Sequence, residues 1–462
     1  MIGVLGIVLS LVLLIVLAYR NYSVIVLAPV CALVAVAFQP EMPWLATYTQ
    51  IYMKGLGEFI TKFFPLFLLG AIFGKLMESS GSAARISKMI VDILGQRQAI
   101  VALVLSCGIL TYGGVSLFVV VFTVFPLARS LFRTADIPKR LIPATIALGS
   151  FTFTMTSLPG TVQIQNLIPM PYFKTNAFAA PLLGCLGGGL MFIFGIIWLV
   201  YRAHWAKRSN EGYGVHNEPT EVVLNDDRLP SAWMALTPIA IVVVCNFVFS
   251  YAVIPSWNAA YLAEPRFGAT ELSQVQGIWA TILAMLVGVL AMIVGHIRSS
   301  VRVSDCLADG ARSALLPIFN TAAEFGYGST IAALSAFEIV KQAVTSIAPS
   351  NPLISEAIAV NLLAAITGSA SSGLSIALRA LGDSYYQRGL ELGVSPELLH
   401  RVASMSCGGL DSLPHNGAVI TLLIICGLTH RQSYMDIGVV SVVVPVGATA
   451  IVLAIGSVFG SF

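Results

Sequence analysis

Two short segments, Ser157-Leu158-Pro159-Gly160-Thr161 and Ser412-Leu413-Pro414-His415-Asn416, share Ser-Leu-Pro, and each interrupts a long apolar stretch. Backbone freed from its hydrogen bonds in hydrocarbon costs several kcal/mol per group, so helices in lipid break only where protein or a water-filled cavity surrounds the break. Matching breaks in two halves of a membrane chain indicate the substrate site of a transporter. The two segments, called the first break and the second break below, therefore predict paired broken helices around one site.

The composition indicates a polytopic membrane protein. Of the 462 residues, 57% are hydrophobic and 10% are charged, whereas soluble domains carry about 25% charged residues. The net charge of +3 gives no indication of nucleic-acid binding. The seven cysteines form no Cys-x-x-Cys pair and are expected to be small buried residues. Neither a metal site nor a cofactor is expected.

Apolar runs predict an all-α protein with about ten transmembrane helices, because a bilayer core takes ~20 residues of helix. The opening run lacks a basic region and a cleavage site, which favours a retained helix over a signal peptide. The predicted spans are residues 2–19, 23–39, 57–77, 141–170, 177–201, 233–251, 275–297, 314–337, 397–426 and 435–460.

Two further apolar stretches, residues 99–127 and 352–378, contain small residues near their middle. A turn at residues 111–116 in the first stretch and 367–373 in the second makes each a re-entrant hairpin with two short arms. Without a turn, each stretch is one ordinary span. Hydropathy permits both structures, and the clustered glycine and serine favour the hairpins.

Landmarks recur at a nearly constant distance along the chain. The distance is 252 residues between Pro65 and Pro317, and 255 residues both between Gly113 and Gly368 and between Ser157 and Ser412. This spacing predicts a duplicated unit, and the odd number of spans between the copies makes them inverted-topology repeats. The predicted parts are a first repeat (1–201, broken helix 141–170), a cytoplasmic linker (202–232) and a second repeat (233–462, broken helix 397–426).

Lysine and arginine concentrate on one predicted face of the membrane, in clusters within residues 85–97, 129–140, 202–228 and 298–312. That face is expected to be cytoplasmic, because cytoplasmic loops carry an excess of Lys and Arg. The opposite face keeps fewer cations, among them Arg379, Arg388 and Arg401. Both termini then lie on the periplasmic side, and the two hairpins enter the membrane from opposite sides.

The breaks and the hairpin tips supply hydroxyls, amides and close backbone approach. Half-helices beginning at Gly160 and Gly417 are expected to direct free N–H groups into the cavity, so that a carboxylate needs no buried arginine. Helix packing through small residues explains any one such cluster, but four clusters at duplicated positions favour a site. The predicted substrate-binding residues are Tyr112, Gly113, Gly114, Ser116, Thr156, Ser157, Gly160, Thr161, Gln163, Asn166, Gly368, Ser369, Ser371, Ser372, His415 and Asn416.

Few ionisable groups lie inside the predicted spans, and such groups are functional candidates in a membrane. Glu324 lies in the middle of a span, while Asp411 and His415 flank the second break. These three residues are candidates for proton coupling, and capping of a broken helix by Asp411 is the structural alternative. Asp411, Ser412 and His415 are also the residue types of a hydrolase triad. Five consecutive positions do not favour the geometry that a triad requires.

The strings Gly70–Ala83, Tyr112–Phe118 and Thr154–Asn166 resemble the gluconate permease family, most closely its D-β-hydroxybutyrate permease branch. The resemblance covers most of the chain except the linker. It implies the fold of the larger ion-transporter superfamily, in which inverted repeats each contain a re-entrant hairpin and a broken helix. It further implies secondary uptake of a small hydroxy-monocarboxylate, usually with protons, and by analogy a homodimer.

The resemblance also bears on the substrate. Sugar-acid members of the family are expected to have a His/Pro-rich first break and an acidic residue in the first hairpin. Neither feature stands in this chain, which favours a smaller acid such as D-3-hydroxybutyrate, with Phe118, Phe151 and Phe153 on the apolar side of its pocket. The resulting hypothesis is a proton symporter of a bacterial inner membrane. Sodium coupling and a gluconate-type substrate are the alternatives, and an intramembrane hydrolase is a distant one.

Overall fold

A computed structural model describes residues 2–19, 22–216, 229–295, 302–414 and 416–461. These residues form helices and connecting turns, with no strand among them. The helices of the first half are α1 (Ile2–Tyr19), α2 (Val24–Ala37), α3 (Trp44–Ser79), α4 (Ser82–Leu94), α5 (Ala99–Tyr112), α6 (Leu117–Thr134), α7 (Ile142–Ser150), α8 (Phe153–Thr156), α9 (Ile164–Leu167), α10 (Met170–Phe173) and α11 (Pro181–Arg208).

The remaining helices belong to the second half of the chain. They are α12 (Ala232–Ser256), α13 (Leu272–Gly295), α14 (Val303–Ala333), α15 (Phe337–Thr345), α16 (Pro352–Thr367), α17 (Ala370–Glu391), α18 (Pro396–Cys407), α19 (Gly417–Cys426) and α20 (His430–Phe459). Helices α3, α12 and α20 each include a short π-helical turn.

Five helices in the described ranges are long and apolar enough to cross a bilayer, namely α3, α11, α12, α13 and α20. A sixth candidate is the bent pair of Ser82–Leu94 and Gln96–Tyr112, whose axes differ by 110°. Helices α1, α2, α16 and α19 are shorter apolar helices. The predicted spans therefore fall on helices, but α3 starts well before residue 57 and α14 well before residue 314.

The long helices α3 and α14 form the most extensive helix–helix contact. Two close contacts at glycine show the relative direction of the two helices. Gly55 of α3 faces Ser329 of α14 near one end, and Gly310 of α14 lies against the backbone of Ile72 of α3 near the other. The two helices therefore run antiparallel. Each contains an internal proline, Pro65 in α3 and Pro317 in α14. An inverted repeat requires antiparallel corresponding helices, and the repeat itself stays a prediction.

The two predicted hairpin regions each fold into a pair of helices. A four-residue turn, 113–116, joins α5 to α6, and Gly368 and Ser369 join α16 to α17. The second pair packs at very short range, since a Cβ atom on Gly373 would lie 2.2 Å from the backbone nitrogen of Ala364. The arms of each pair contact each other. Entry of these hairpins from opposite sides stays a prediction.

The predicted linker, 202–232, is wrong at its start. Helix α11 continues through Arg208, and the residues after it contact the segment between α6 and α7. There the Tyr213 backbone nitrogen donates to Asp136 Oδ1, and Arg140 pairs with Glu211. Residues 217–228 lie outside the described part of the chain. This contact forms because Glu211 and Tyr213, which follow Arg208, lie against Arg140 and Arg133 of the predicted basic cluster 129–140.

Candidate functional site

The first break is longer and more fragmented than the predicted broken helix 141–170. After α7 the chain forms only the four-residue helices α8, α9 and α10, and the last of these ends at Phe173. Gly160 has φ = 79°, and its N–H donates to the Ala177 carbonyl at 2.8 Å. The prediction that a half-helix begins at Gly160 is therefore wrong, because helix resumes only at Ile164.

A buried arginine holds the first break. Arg401, in α18, is fully buried. Its guanidinium donates to the Ala179 carbonyl at 2.7 and 3.1 Å, to the Ser157 carbonyl at 2.9 Å and to Asn166 Oδ1 at 3.2 Å. One sequence-based prediction is thus corrected, because Arg401 is buried and does not lie on the outer face. Its donors serve backbone carbonyls and one side-chain amide oxygen of the protein itself.

Other side chains of α18 extend this contact. His400 contacts Thr175 Oγ1 through Nδ1 at 2.6 Å and Asn166 Oδ1 through Nε2 at 3.3 Å. The Ser404 hydroxyl donates to the Thr156 carbonyl at 2.8 Å. Thr156 also packs against Gly408, since a Cβ there would lie 2.7 Å from Thr156 Cγ2. The first half of the second broken helix therefore supports the break of the first, and the two broken regions meet.

The second break ends where predicted, because α19 begins at Gly417. Its N–H groups are not free, however, which corrects the prediction of an unoccupied helix N-terminus. Asn416 Oδ1 accepts hydrogen bonds from the nitrogens of Ala418 and Val419 at 2.6 and 2.9 Å. His415, predicted to bind substrate or a proton, lies outside the described residues.

An amide side chain joins each break to a hairpin tip. Gln163 Nε2 donates to the Thr111 carbonyl at 2.5 Å, and Asn416 Nδ2 donates to the Gly368 carbonyl at 2.9 Å. The Tyr112 hydroxyl adds a second link in the first half, donating to the Pro159 carbonyl at 2.7 Å. In each half, the break and the hairpin tip are thus joined directly by side-chain hydrogen bonds.

A cavity of about 470 Å³, here called the inner cavity, lies beside the first hairpin tip. Three predicted residues line it together, namely Gly114, Ser116 and Gln163. Most of the remaining wall is apolar and includes Phe67 and Val162. At one end the wall is charged and consists of Lys75, Glu78 and Asp309.

The other predicted residues do not line the inner cavity, as far as the described part of the chain extends. Thr156, Ser157 and Asn166 are buried in the contact with α18, Thr161 is also buried, and Gly160 and Tyr112 face each other. Gly113 packs on Ile239. Gly368, Ser369, Ser371, Ser372 and Asn416 surround the second hairpin tip, where the Ser372 hydroxyl donates to Ser369 Oγ at 2.8 Å. Phe151 and Phe153 are buried elsewhere.

Buried acids lie near this unit. Asp411 is buried and accepts a hydrogen bond from the Ser412 hydroxyl at 3.0 Å, and Glu324 is buried with one carboxyl oxygen unpartnered among the described residues. Sequence reasoning missed Glu356 in α16, which is fully buried with both oxygens unpartnered in the described ranges. The sequence does contain a signal for this residue, because Glu356 is the one acid in the apolar arm Pro352–Thr367.

Comparison with known sequences identifies the family of the chain. The model of the GntP family permeases matches residues 2–382. The chain belongs to this permease family. The uncharacterized transporter YxjC of Bacillus subtilis (strain 168) is 43% identical over 98% of both chains. An uncharacterized transporter of Haemophilus influenzae is 29% identical over 42% of this chain and 43% of its own. The protein is therefore a multi-pass membrane permease and not an enzyme.

Solved structures share the fold of this permease. Neisseria gonorrhoeae MtrF, described as one of a class of antimetabolite efflux pumps, aligns over 93% of this chain and 94% of its own, with a TM-score of 0.58 and 12% identity. The Alcanivorax borkumensis YdaH transporter, described as having an unusual topology, aligns over 88% of both chains, with a TM-score of 0.55 and 17% identity. At these identities the likeness shows the fold alone.

Proposed function

We propose that the permease imports a short hydroxy-monocarboxylate, D-3-hydroxybutyrate in the first place, by proton symport across a bacterial inner membrane. The observation that carries the proposal is the inner cavity. Gln163 and Ser116 provide polar groups for a carboxylate, the backbone approaches closely at Gly114, and Phe67 and Val162 accommodate a short apolar chain. The predicted residues of both breaks and both tips are proposed to complete the site during transport.

The apolar wall favours this substrate class over a sugar acid. A sugar acid carries a hydroxyl on every chain carbon, and each hydroxyl buried against an apolar wall loses its hydrogen bonds to water. Leu66, Phe67, Leu117 and Val162 offer no partner for such hydroxyls. A site without matching polar groups therefore disfavours the polyhydroxylated acid.

The buried acids support proton coupling. Glu324 is cut off from water, and an acid in such a place can carry a proton between the two sides. Asp411 is the second candidate, and His415 stays a prediction from sequence. Sodium is the alternative coupling ion, and three hydroxyl oxygens at the second tip favour it. Ser369 Oγ lies 3.4 Å from Ser371 Oγ and 2.8 Å from Ser372 Oγ.

Uptake by proteoliposomes tests the proposal. Labelled D-3-hydroxybutyrate is offered under an imposed pH gradient and then under a sodium gradient, with lactate and gluconate as competitors. We expect accumulation under the pH gradient, strong competition by lactate and weak competition by gluconate. Accumulation under the sodium gradient alone would replace the proton by sodium, and no accumulation under either gradient would reject the symporter.

Variants test the site. Gln163→Ala and Asn416→Ala each remove an amide that joins a break to a hairpin tip. We expect each to lower uptake by about tenfold or more, because leaving a backbone carbonyl of the tip without its donor costs about 1–3 kcal/mol. Gln50→Ala, an exposed glutamine of α3, is the control. Glu324→Gln should remove the pH dependence of uptake. Wild-type rates in all three variants would contradict the assignment.

A further inference from the structure

A second cavity, here called the outer vestibule, lies further along α3 from the inner cavity. Its volume is about 240 Å³. Residues of α3, α10, α13, α14 and α17 line it, and those that the argument uses are Glu58, Lys62, Tyr172, Phe325, Arg379 and Asp383. The charged groups face a wall of aromatic rings.

The vestibule and the inner cavity are consecutive along α3. Phe63 lines the vestibule and Leu66 lines the inner cavity, so the single turn that contains Pro65 separates them. Phe63 and Leu66 are both buried. At 1.5 Å of rise per residue this turn spans only about 5 Å. The two cavities therefore define a path along α3 that is closed by about one side-chain layer.

Two of the four charged groups in the vestibule are already occupied. Arg379 Nη1 pairs with Glu58 Oε2 at 3.2 Å, and Arg379 Nε donates to Ser329 Oγ at 2.9 Å. The same guanidinium lies over the Phe325 ring at 5.2 Å. This pair links α3 to α17, so Arg379 is a part of the wall and not a free cation.

The other two charged groups lack such partners. Within the described residues, neither Lys62 nor Asp383 has an ion pair within 4.0 Å or a side-chain hydrogen bond. The Lys62 ammonium lies 5.9 Å from the centroid of the Tyr172 ring. One unpaired ammonium and one unpaired carboxylate thus face a cavity with aromatic walls.

We propose that the outer vestibule binds the hydroxy-monocarboxylate before it enters the inner cavity. The inference rests on the proposed function and identifies a second site for the same substrate. Lys62 donates to the substrate carboxylate, and Asp383 accepts a hydrogen bond from the substrate hydroxyl. The Tyr172 ring and the other aromatic side chains cover the short apolar chain.

This arrangement explains selection for a hydroxy acid. A plain fatty acid of the same length leaves Asp383 without a donor, and a site built around a hydroxyl rejects the analogue that lacks it. A dicarboxylate places its second carboxylate against Asp383, and the like charges repel. The vestibule therefore selects one carboxylate and one hydroxyl before transport begins.

Uptake kinetics in right-side-out vesicles test the proposal with Lys62→Gln, Lys62→Arg and Asp383→Asn. We expect Lys62→Gln to raise KM about tenfold with little change in the maximal rate, since one charge-assisted hydrogen bond is lost. Lys62→Arg should keep a KM near that of the wild type. Asp383→Asn should reduce the preference for D-3-hydroxybutyrate over butyrate.

The control is Lys54→Gln, an exposed lysine of the same helix outside the vestibule, and it should behave as the wild type. A KM within twofold of the wild type in Lys62→Gln, or a KM increase equal to that of Lys54→Gln, would overturn the vestibule site. Wild-type vesicles that take up no hydroxy acid would instead reject the proposed function. Size-exclusion profiles of the purified variants separate misfolding from loss of binding.

Discussion

Arg401 is the residue that ties the two halves of the permease together. Its guanidinium is fully buried, and its donors reach one carbonyl of the first break, at Ser157, and two oxygen atoms after it, the Ala179 carbonyl and Asn166 Oδ1. A buried cation is tolerated only when its donors are satisfied. The planar fork of arginine can serve several acceptors at once, which a single lysine ammonium cannot do in the same geometry.

Arg401→Lys should therefore destabilise the permease although the charge is kept. We expect a loss of about 2 kcal/mol or more, because at least one buried carbonyl of the pair Ser157 and Ala179 loses its donor. The measurement is the temperature at which half of the detergent-purified protein survives heating, monitored by size exclusion. Arg302→Lys, at a highly exposed arginine, is the control. Equal melting temperatures for Arg401→Lys and the wild type would contradict the clamp.

The sequence could predict the breaks but not this clamp. Ser-Leu-Pro in an apolar stretch is a local signal, and the structure does interrupt helix at both positions. The partners of Arg401 lie 222 to 244 residues away along the chain, so no local pattern encodes its burial. The same limit applies to Gly160, whose N–H is bound by a carbonyl of a later segment and not left free.

At the scale of elements, the second hairpin depends on one glycine. Gly373 in α17 lets the helix approach α16 until the two backbones touch. The arms then form one compact unit whose tip is held by Asn416. Small residues permit such close helix contacts in membranes.

Gly373→Ala should disrupt this unit. The added Cβ would lie 2.2 Å from the Ala364 nitrogen. Relieving this overlap requires a shift of the backbone of α16 or α17, so we expect a clear loss of folded protein. The yield of monodisperse protein in detergent measures the effect. Gly417→Ala is the matched control, because a Cβ there meets nothing within 4 Å. Comparable yields from the two variants would show that the arms are not in backbone contact.

An ion-pair network joins three further elements at one end of the molecule. Buried Asp436, in α20, pairs with Arg140 before α7 and with Arg202 in α11, each at 2.8 Å. Arg140 also binds Glu211, which follows α11, at 2.6 Å. This hydrogen bond, together with the positive charge of Arg140, holds the pKa of the Glu211 carboxyl below its usual value of 4.5.

The Glu211 contact should therefore stabilise the fold above pH 4.5 and lose its effect as the pH falls through the lowered pKa. The pair is partly exposed, so we expect a contribution under about 1 kcal/mol. The measurement is the difference in melting temperature between wild type and Glu211→Gln, recorded as a function of pH. That difference should shrink on acidification, whereas Glu264→Gln, at an exposed pair, should show no comparable trend. A difference that grows below pH 4.5 would contradict this sign.

For the whole molecule, composition alone established the membrane class, and three strings established a family that the comparisons confirm. Helix positions followed from apolar runs, whereas the starts of α3 and α14 did not. Polar residues such as Lys54 and Glu58 in α3, and Asp305 and Asp309 in α14, lower the hydropathy of these early turns. The fold agrees with solved transporters at 12% and 17% identity. The hydroxybutyrate branch, the coupling ion and the homodimer stay predictions.

Sidedness is the property of the whole molecule on which both proposals depend. The inner cavity ends at Lys75, Glu78 and Asp309, at the end of α3 near the basic clusters, and the vestibule lies further toward the start of the same helix. From the positive-inside rule we predict that the inner cavity lies on the cytoplasmic side and the vestibule on the periplasmic side. The layer of side chains between the two cavities is then expected to keep the two sides separate.

Cysteine labelling tests this orientation. Ser313→Cys in the inner cavity and Gln274→Cys in the vestibule are placed in a background in which Cys185 and Cys245 are alanine, since the other five cysteines are buried. A membrane-impermeant maleimide should label Gln274→Cys in right-side-out vesicles and Ser313→Cys only in inside-out vesicles, while detergent exposes both. The reverse pattern would invert the topology, and labelling of both from one side would show that the cavities open to the same face.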